Sequence, residues 1–162
     1  MRALITKTLF VLPILLSDQA LAFDVDGLSY SVPPNPNDLQ ANVTGRASGN
    51  SATDIVIPSN ATGGTYNFFY NVTAIGDNAF QSNALTSVIF QYYSMTTIGA
   101  YAFADNALTS VSIPRYVTTI GAYAFADNAL TSVIFPNEVT TIGAYAFAEN
   151  ALTNVIFEGN HG

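Results

Sequence analysis

The sequence predicts an α/β solenoid that is mostly β, in which every coil is one copy of a repeated unit. A segment that begins at Ile98 recurs almost letter for letter at Ile120 and again at Ile142, with the same spacing both times. A looser copy begins at Ile75, and its spacing to Ile98 is longer by a single position. The period of about 22 residues lies in the range that is typical of solenoids, whose units bury their apolar side chains by stacking on one another.

The first element of each unit is a short strand. Val111–Ile113 alternates apolar, polar and apolar residues, which is typical of a strand with one buried face. Pro114 follows directly and ends the strand, because proline has no N–H for the ladder. The equivalent strands of the other units end at Phe90, Phe135 and Phe157.

The second half of each unit contains another extended piece and a turn. Val117 and Ile120 are predicted to point inward, and Gly121 to free the backbone for a turn. We expect Ala122–Asp127 to form a single helical or 3₁₀ turn that carries Phe125 inward. This turn is the only helical part of the predicted coil.

An asparagine lies two residues before the strand leucine in every unit. Its amide can both donate and accept hydrogen bonds, so it can satisfy backbone groups that stacking removes from water. The predicted structural ladder consists of Asn83, Asn106, Asn128 and Asn150.

The pattern F-x-x-N-x-L-T-S-V-x-I/F-P-x-x-V-T-x-I-G-x-x-A-F resembles the BspA-like leucine-rich repeats. The resemblance covers roughly Asp54 to Glu158. It implies a right-handed leucine-rich-repeat superhelix of 22–23-residue coils with a parallel sheet on one face. It also implies a secreted or surface-displayed protein that acts by binding, as adhesins do. Many members have a cysteine near the asparagine position, and this chain has no cysteine.

Three regions are predicted along the chain. Met1 to Ala22 has a positive start, a short apolar run and a small-x-small end, so it is predicted to be a secretory leader cleaved near Ala22. An uncleaved anchor is the alternative, although the apolar run is shorter than the roughly 20 residues that a span needs. Phe23 to Asn71 is predicted to form a β-rich N-terminal cap with an irregular first coil, and it opens with an Asp26-Gly27 hairpin turn. Residues 72–162 are predicted to form the repeats.

Composition limits the classes of function. Eleven acidic residues against four basic ones give a net charge of −7, which argues against nucleic acid as a partner. No segment after the leader is apolar enough to predict membrane insertion. The single histidine, His161, lies next to the last residue, so neither a catalytic triad nor a zinc site is expected. The sequence predicts no enzyme and no cofactor.

The outward positions of the predicted strands are the candidate partner surface, because exposed isoleucines there would form an apolar stripe. An ordinary sheet surface without a partner is the alternative. The candidate residues are Ser87, Ile89, Ser110, Ser112, Ser132, Ile134, Asn154 and Ile156.

Three further columns recur at the repeat period. A column of carboxylates suggests either a solvated row or weak binding of divalent cations. The threonine column resembles that of ice-binding solenoids, but adjacent threonines in place of T-x-T disfavour that function. The tyrosine column suggests a platform for sugar rings or a shield over the backbone. The members are Asp105, Asp127 and Glu149; Thr73, Thr96, Thr118 and Thr140; and Tyr101, Tyr123 and Tyr145.

The sequence therefore predicts a secreted binding or adhesion module whose strand face recognises a protein or glycan partner. The alternative is a structural spacer, or a fragment of a longer array, without a ligand of its own. The repeats stop at Phe157 without a polar capping unit, so self-association through the C-terminal coil is also expected.

Overall fold

A computed structural model describes residues 21–33, 39–63, 68–91 and 94–159 of the chain. The predicted leader lies outside these residues except for Leu21 and Ala22, which begin the first strand. His161 also lies outside them. The strands of the described part are β1 Leu21–Val25, β2 Leu28–Val32, β3 Gln40–Arg46, β4 Asp54–Ile57, β5 Asn60–Gly63, β6 Phe68–Ile75, β7 Ser87–Phe90, β8 Thr97–Ile98, β9 Val111–Ser112, β10 Thr119–Ile120, β11 Ser132–Phe135, β12 Thr141–Ile142 and β13 Asn154–Phe157.

The strands form two parallel stacks, as expected for a solenoid. In the larger sheet the order is β1-β2-β3-β6-β8-β10-β12, with β5 paired to β6. The strands from β3 to β12 along this path pair in parallel and are one coil apart. On the other side of the coils β4 pairs β7, while β9, β11 and β13 form a three-stranded sheet. The fold is therefore a repeat protein made mostly of strands.

The N-terminal region begins with the hairpin that the sequence predicts. Strands β1 and β2 are antiparallel, with Val25 opposite Leu28. Asp26 and Gly27 have φ angles of 51° and 79°. Positive φ at both central residues is what a two-residue type I′ turn requires, and Asp-Gly is a favoured pair for it. The hairpin extends the larger sheet through the pairing of β2 with β3.

The prediction of a helical or 3₁₀ turn at Ala122–Asp127 is wrong, and the equivalent turn one coil earlier shows why. The described residues contain no helix, and Gly99–Ala104 instead forms two successive reverse turns, closed by the hydrogen bonds Ala102 N to Gly99 O and Ala104 N to Tyr101 O. The N–H groups of Tyr101 and Phe103 donate to carbonyls of the next coil. A helical turn would direct these groups toward carbonyls of its own coil, so it would remove the bonds that join neighbouring coils.

The repeated glycine has a different role from the predicted one. Gly121 is not in the left-handed region of φ. A Cβ at this position would collide with the backbone of Gly99 and Ala100 in the preceding coil. Glycine is therefore needed because two coils approach closely there. The left-handed position of the turn is occupied instead by Tyr123, with a φ of 56°.

The core is a column of stacked side chains along the solenoid axis. Phe80, Phe103 and Phe125 are fully buried. Neighbouring rings in this column lie 5.3 Å and 5.2 Å apart, at interplanar angles of 11° and 9°. Leu108 and Leu130 are equally buried beside them. Each coil contributes one member of each column, which is why a single coil cannot bury its own apolar side chains. None of the described residues belongs to a helix that could span a membrane.

Candidate binding surface on the strand face

The strand face consists of the outward side chains of β4, β7, β9, β11 and β13. Parallel pairing in register brings equivalent residues of adjacent coils side by side, about 4.8 Å apart. Val56 lies beside Ile89 in one pair of strands. Ile134 lies between Ser112 and Ile156 in the other sheet. Pairing thus aligns the outward residues within each sheet, and β7 contacts β9 where the two sheets meet. The residues at this repeat position form what we call the apolar column: Val56, Ile89, Ser112, Ile134 and Ile156.

The apolar members of this column are exposed. Val56, Ile89, Ile134 and Ile156 have exposed fractions of 47%, 57%, 46% and 42%. The side chains that alternate with them in β7 and β11, such as Val88 at 8%, point into the core. An apolar column open to solvent along the strand face is a feature of partner surfaces.

A polar column runs beside the apolar one, two residues earlier in each repeat. It contains Asp54, Ser87, Ser110, Ser132 and Asn154. Register places Asp54 beside Ser87 and Ser132 beside Asn154. The carboxylate of Asp54 accepts a hydrogen bond from Thr86 Oγ1 at 3.0 Å. The strand face therefore offers hydrogen-bonding groups along one edge of an apolar stripe.

Sequence reasoning missed the first strand of this surface. Val56 and Asp54 belong to the irregular first coil and were left out of the predicted surface, although they lie beside Ile89 and Ser87 in the structure. The signal was present, since Asp54–Pro58 has the same strand-proline pattern as the later units. Pairing of β4 with β7 extends the candidate surface by one strand toward the N-terminal cap.

Asparagines of the predicted ladder join neighbouring coils. Asn128 Oδ1 accepts from the backbone N–H of Leu108 at 3.0 Å. Its Nδ2 donates to the carbonyls of Phe103, Phe125 and Ala126 at 2.9–3.2 Å. Asn106 and Asn150 make the equivalent bonds. These amides satisfy backbone groups between the coils, which is a structural role.

Asn83 differs from the other three asparagines. Its Nδ2 donates only to the Gln81 carbonyl, at 2.7 Å, among the described residues. Its own carbonyl accepts from Arg46 Nη2 at 2.8 Å. The coil before Asn83 is the irregular first coil. Arg46, which belongs to the N-terminal cap, therefore bonds to Asn83 at the place where a regular coil would contact it.

The threonine column has a structural explanation. The hydroxyls of Thr96, Thr118 and Thr140 each donate to the carbonyl of the equivalent threonine one coil earlier, at 3.2–3.3 Å. These hydroxyls therefore link neighbouring coils, and the argument against ice binding stays a prediction from the sequence.

The tyrosine column stacks on itself. The rings of Tyr101 and Tyr123 lie 4.8 Å apart at an interplanar angle of 5°, and those of Tyr123 and Tyr145 lie 5.1 Å apart at 21°. Because each ring covers a face of its neighbour, the outer face of Tyr145 is the most exposed part of the column. The tyrosines therefore offer little ring surface to a sugar and mainly cover the turns beneath them.

The carboxylate column is solvated. Asp105, Asp127 and Glu149 are all exposed, and Asp105 accepts a hydrogen bond from Ser82 Oγ at 2.6 Å. Across the described ranges, no three histidine, cysteine or acidic residues are placed so that they could hold a metal ion.

The last described coil exposes side chains whose counterparts are buried elsewhere. Ile142, Val155 and Phe157 are 41%, 49% and 66% exposed. The equivalent residues one coil earlier are at most 3% exposed: Ile120, Val133 and Phe135. Strands β12 and β13 each pair on one side only within the described part of the chain.

With this geometry established, comparison with known proteins identifies the family. A family model for the BspA type leucine rich repeat region matches residues 48–161 in six copies. The chain belongs to this family. The match confirms the resemblance found in the sequence. No curated protein is significantly similar to the chain.

Two leucine-rich repeat proteins and one vaccine antigen of known structure share the fold. One from Bacteroides capillosus is 29% identical with a TM-score of 0.73, and the match covers 85% of this chain and 99% of the other. One from Bacteroides ovatus is 22% identical with a TM-score of 0.58, covering 83% of this chain and 40% of the other. The pneumococcal vaccine antigen PcpA is 16% identical with a TM-score of 0.54, covering 88% of this chain and 51% of the other.

Proposed function

We propose that this protein is a secreted or surface-displayed binding module that recognises a protein partner through its strand face. The observation that carries the proposal is the apolar column, four of whose five members are exposed aliphatic side chains at the centre of the face. The polar column beside it supplies hydrogen-bonding groups. Membership of a leucine-rich repeat family supports a role in interaction or in structure. The predicted leader supports the location outside the cell.

A protein partner fits the strand face better than a glycan. Recognition of sugar rings uses stacking on aromatic faces, and the two outward columns contain aliphatic side chains, serines, Asp54 and Asn154. The tyrosines of the column, Tyr101, Tyr123 and Tyr145, lie on the turns and cover one another. An aliphatic stripe with polar groups at its edge resembles the core and rim of protein interfaces.

The proposal can be tested with variants that place a charge in the apolar column. The protein, immobilised, is presented with purified extracellular-matrix and cell-surface proteins. The double substitution Ile89→Lys with Ile134→Lys is compared with Tyr116→Lys, which changes an exposed residue outside the strands. Far-UV circular dichroism checks that each variant is folded.

We expect the double variant to lose partner capture by at least about tenfold, equivalent to 1.4 kcal/mol, while the control variant retains it. Equal capture by the two variants would show that the strand face is not the binding surface. Failure of every matrix and surface protein to bind the unmodified chain would favour the structural alternative.

A second candidate function, assembly with another copy of the chain, is favoured by the last described coil. Ile142, Val155 and Phe157 would become buried if a further coil stacked on them, because their equivalents one coil earlier are buried in this way. The outer edges of β12 and β13, which pair with no other strand in the described part of the chain, could pair with a second chain. Sedimentation over a range of concentrations tests this, with Phe157→Glu as the variant. A concentration-independent monomer would exclude self-association, whereas dimers that the variant abolishes would support it.

A further inference from the structure

A cavity of about 390 Å³ lies at the N-terminal end of the strand face. The tip of the β1–β2 hairpin forms one wall through Asp26 and Leu28. Strand β4 forms the other through Asp54, Ile55 and Val56. The volume of the cavity is within the range of about 300–1,000 Å³ that is usual for binding sites. Val56 is also the first member of the apolar column, so the cavity is continuous with the candidate binding surface.

The hairpin wall is fixed by hydrogen bonds to the loop that leads into β4. Asn50 Nδ2 donates to the Gly27 carbonyl at 2.7 Å, and Asn50 Oδ1 accepts from the N–H of Ala52 at 3.0 Å. The N–H of Ala47 donates to the same Gly27 carbonyl at 3.0 Å. A Cβ on Gly27 would collide with the side chain of Asn50, so the turn packs directly on this loop. The cavity is therefore largely preformed.

The lining combines negative charge with apolar surface. Asp26 and Asp54, one on each wall, are both exposed to solvent. None of the residues that line the cavity is a lysine, an arginine or a histidine. Leu28 and Ile55 are almost completely buried and form the apolar floor. Two carboxylates above an apolar floor complement a side chain with an aliphatic stem and a cationic head, which lysine and arginine both have.

We propose that this cavity receives a lysine or arginine side chain of the protein partner that lies along the strand face. This inference rests on the proposed function and specifies the chemistry of the partner at one end of the interface. The aliphatic stem packs on Leu28, Ile55 and Val56, and the cationic head lies between the carboxylates of Asp26 and Asp54.

The test uses ¹⁵N-labelled protein and short peptides as probes. Acetyl-Leu-Lys-Leu-amide is titrated into the full chain while backbone amide shifts are followed. The comparison peptide carries acetyl-lysine, which keeps the stem and removes the charge. We expect the lysine peptide to shift the amides of Asp26, Leu28, Asp54 and Val56 and to bind more weakly as salt is added, since screening weakens exposed charge pairs. The acetylated peptide should bind at least about fivefold more weakly.

The chain offers matched variants with little risk to folding. Asp26→Asn creates an Asn-Gly pair, which suits the same type I′ turn. Asp54→Asn keeps an oxygen that can accept the hydrogen bond from Thr86. Asp127→Asn is the control, since it removes one exposed charge far along the chain from the cavity at a left-handed position that asparagine tolerates.

We expect the double variant Asp26→Asn with Asp54→Asn to weaken binding of the lysine peptide by about tenfold, and the control to change it less than twofold. Absence of shift changes at the cavity, or equal weakening by the control, would overturn the inference. Its failure is distinguishable from failure of the proposed function. If the isoleucine variant loses partner capture but no peptide binds at the cavity, only the proposal about the cavity is refuted. If the peptide binds at the cavity but the isoleucine variant captures the partner as before, only the proposal about the strand face is refuted.

Discussion

Asn128 provides the most direct test of how the coils are joined. Replacement by alanine removes four hydrogen bonds at once, one accepted from the Leu108 N–H and three donated to carbonyls. The Ala126 carbonyl keeps another partner, because it also accepts from the N–H of Asp105 at 3.0 Å. The carbonyls of Phe103 and Phe125 also keep a partner each, because they accept from Asn106 Nδ2 and from Asn150 Nδ2, both at 2.9 Å. The loss therefore falls mainly on the Leu108 N–H. Leaving this buried donor unpaired predicts a loss of about 1–3 kcal/mol in the free energy of unfolding.

A series of variants separates this explanation from a general effect of truncation. Asn128→Asp keeps the acceptor for Leu108 but directs a carboxylate oxygen at three carbonyl oxygens, so it should destabilise more than alanine. Asn83→Ala removes an asparagine side chain whose Nδ2 donates only to the Gln81 carbonyl among the described residues. This substitution should therefore lower the free energy of unfolding by at most about 1 kcal/mol. The expected order of destabilisation is Asn128→Asp, then Asn128→Ala, then Asn83→Ala.

Urea unfolding measures this order, and amide hydrogen exchange locates the cause. The Leu108 amide should exchange faster in Asn128→Ala, because its hydrogen-bond acceptor is gone. A loss below about 0.5 kcal/mol in Asn128→Ala would refute the reasoning, since buried backbone groups cannot be left unpaired so cheaply. Equal losses for Asn83 and Asn128 would show that the bonds between coils are not the source of the effect.

Three further predictions concern the core, the strand face and the hairpin. Phe125→Ala should lower the free energy of unfolding, measured by urea melts, by about 3–5 kcal/mol, because the ring is fully buried between two others. Phe157→Ala should lower it by about 1 kcal/mol or less, since that ring is 66% exposed. Ile134→Lys should leave far-UV circular dichroism unchanged, because the side chain points to solvent, and collapse of the fold would mean that the strand register is wrong. Burial, and secondarily the charge of Asp26, raises the pKa of the Tyr30 phenol from 10.0 to about 12. The pKa of this phenol is higher in the folded chain than in the unfolded chain. The stabilisation that the neutral phenol contributes is therefore complete below pH 10 and is lost as the pH rises through about 12. Absorbance titration should therefore show one late tyrosine that Tyr30→Phe removes, and an unchanged titration curve in that variant would contradict the assignment.

The two stacks of strands could be predicted, because the repeat period and the alternation of apolar and polar residues together determine them. The equal spacing of Ile98, Ile120 and Ile142 places these side chains in register, and strands β8, β10 and β12 pair them directly. Alternation within each strand then determines which side chains point outward, so Ile89 and Ile134 could be assigned to the strand face from the sequence. These features depend only on period and hydrophobicity, which the sequence displays.

The turns could not be predicted because their conformation depends on the neighbouring coil. Ala122–Asp127 has the composition of a good helix, and alanine favours helices in isolation. Hydrogen bonds to the next coil instead require Tyr123 to adopt a φ of 56°, a strained angle for an aromatic residue. Stacking of its ring between Tyr101 and Tyr145 offsets part of this strain. Local propensity could not reveal this, since the contacts of Tyr123 with Ala144, Tyr101 and Tyr145 all lie one period away.

The cavity was missed for a related reason, namely that its two walls are distant in sequence and neither belongs to the regular repeats. In the sequence Asp26 stands out as a turn residue, and Asp54 as the start of a strand. Pairing of β2 with β3 and the bonds from Asn50 to the hairpin bring the two carboxylates to one cavity. Repeats make every coil nearly alike, so a uniform strand face would not fix where along the array a partner binds. The irregular first coil breaks this uniformity. In the proposed complex, the charged cavity of this coil would hold the partner in a single register along the face.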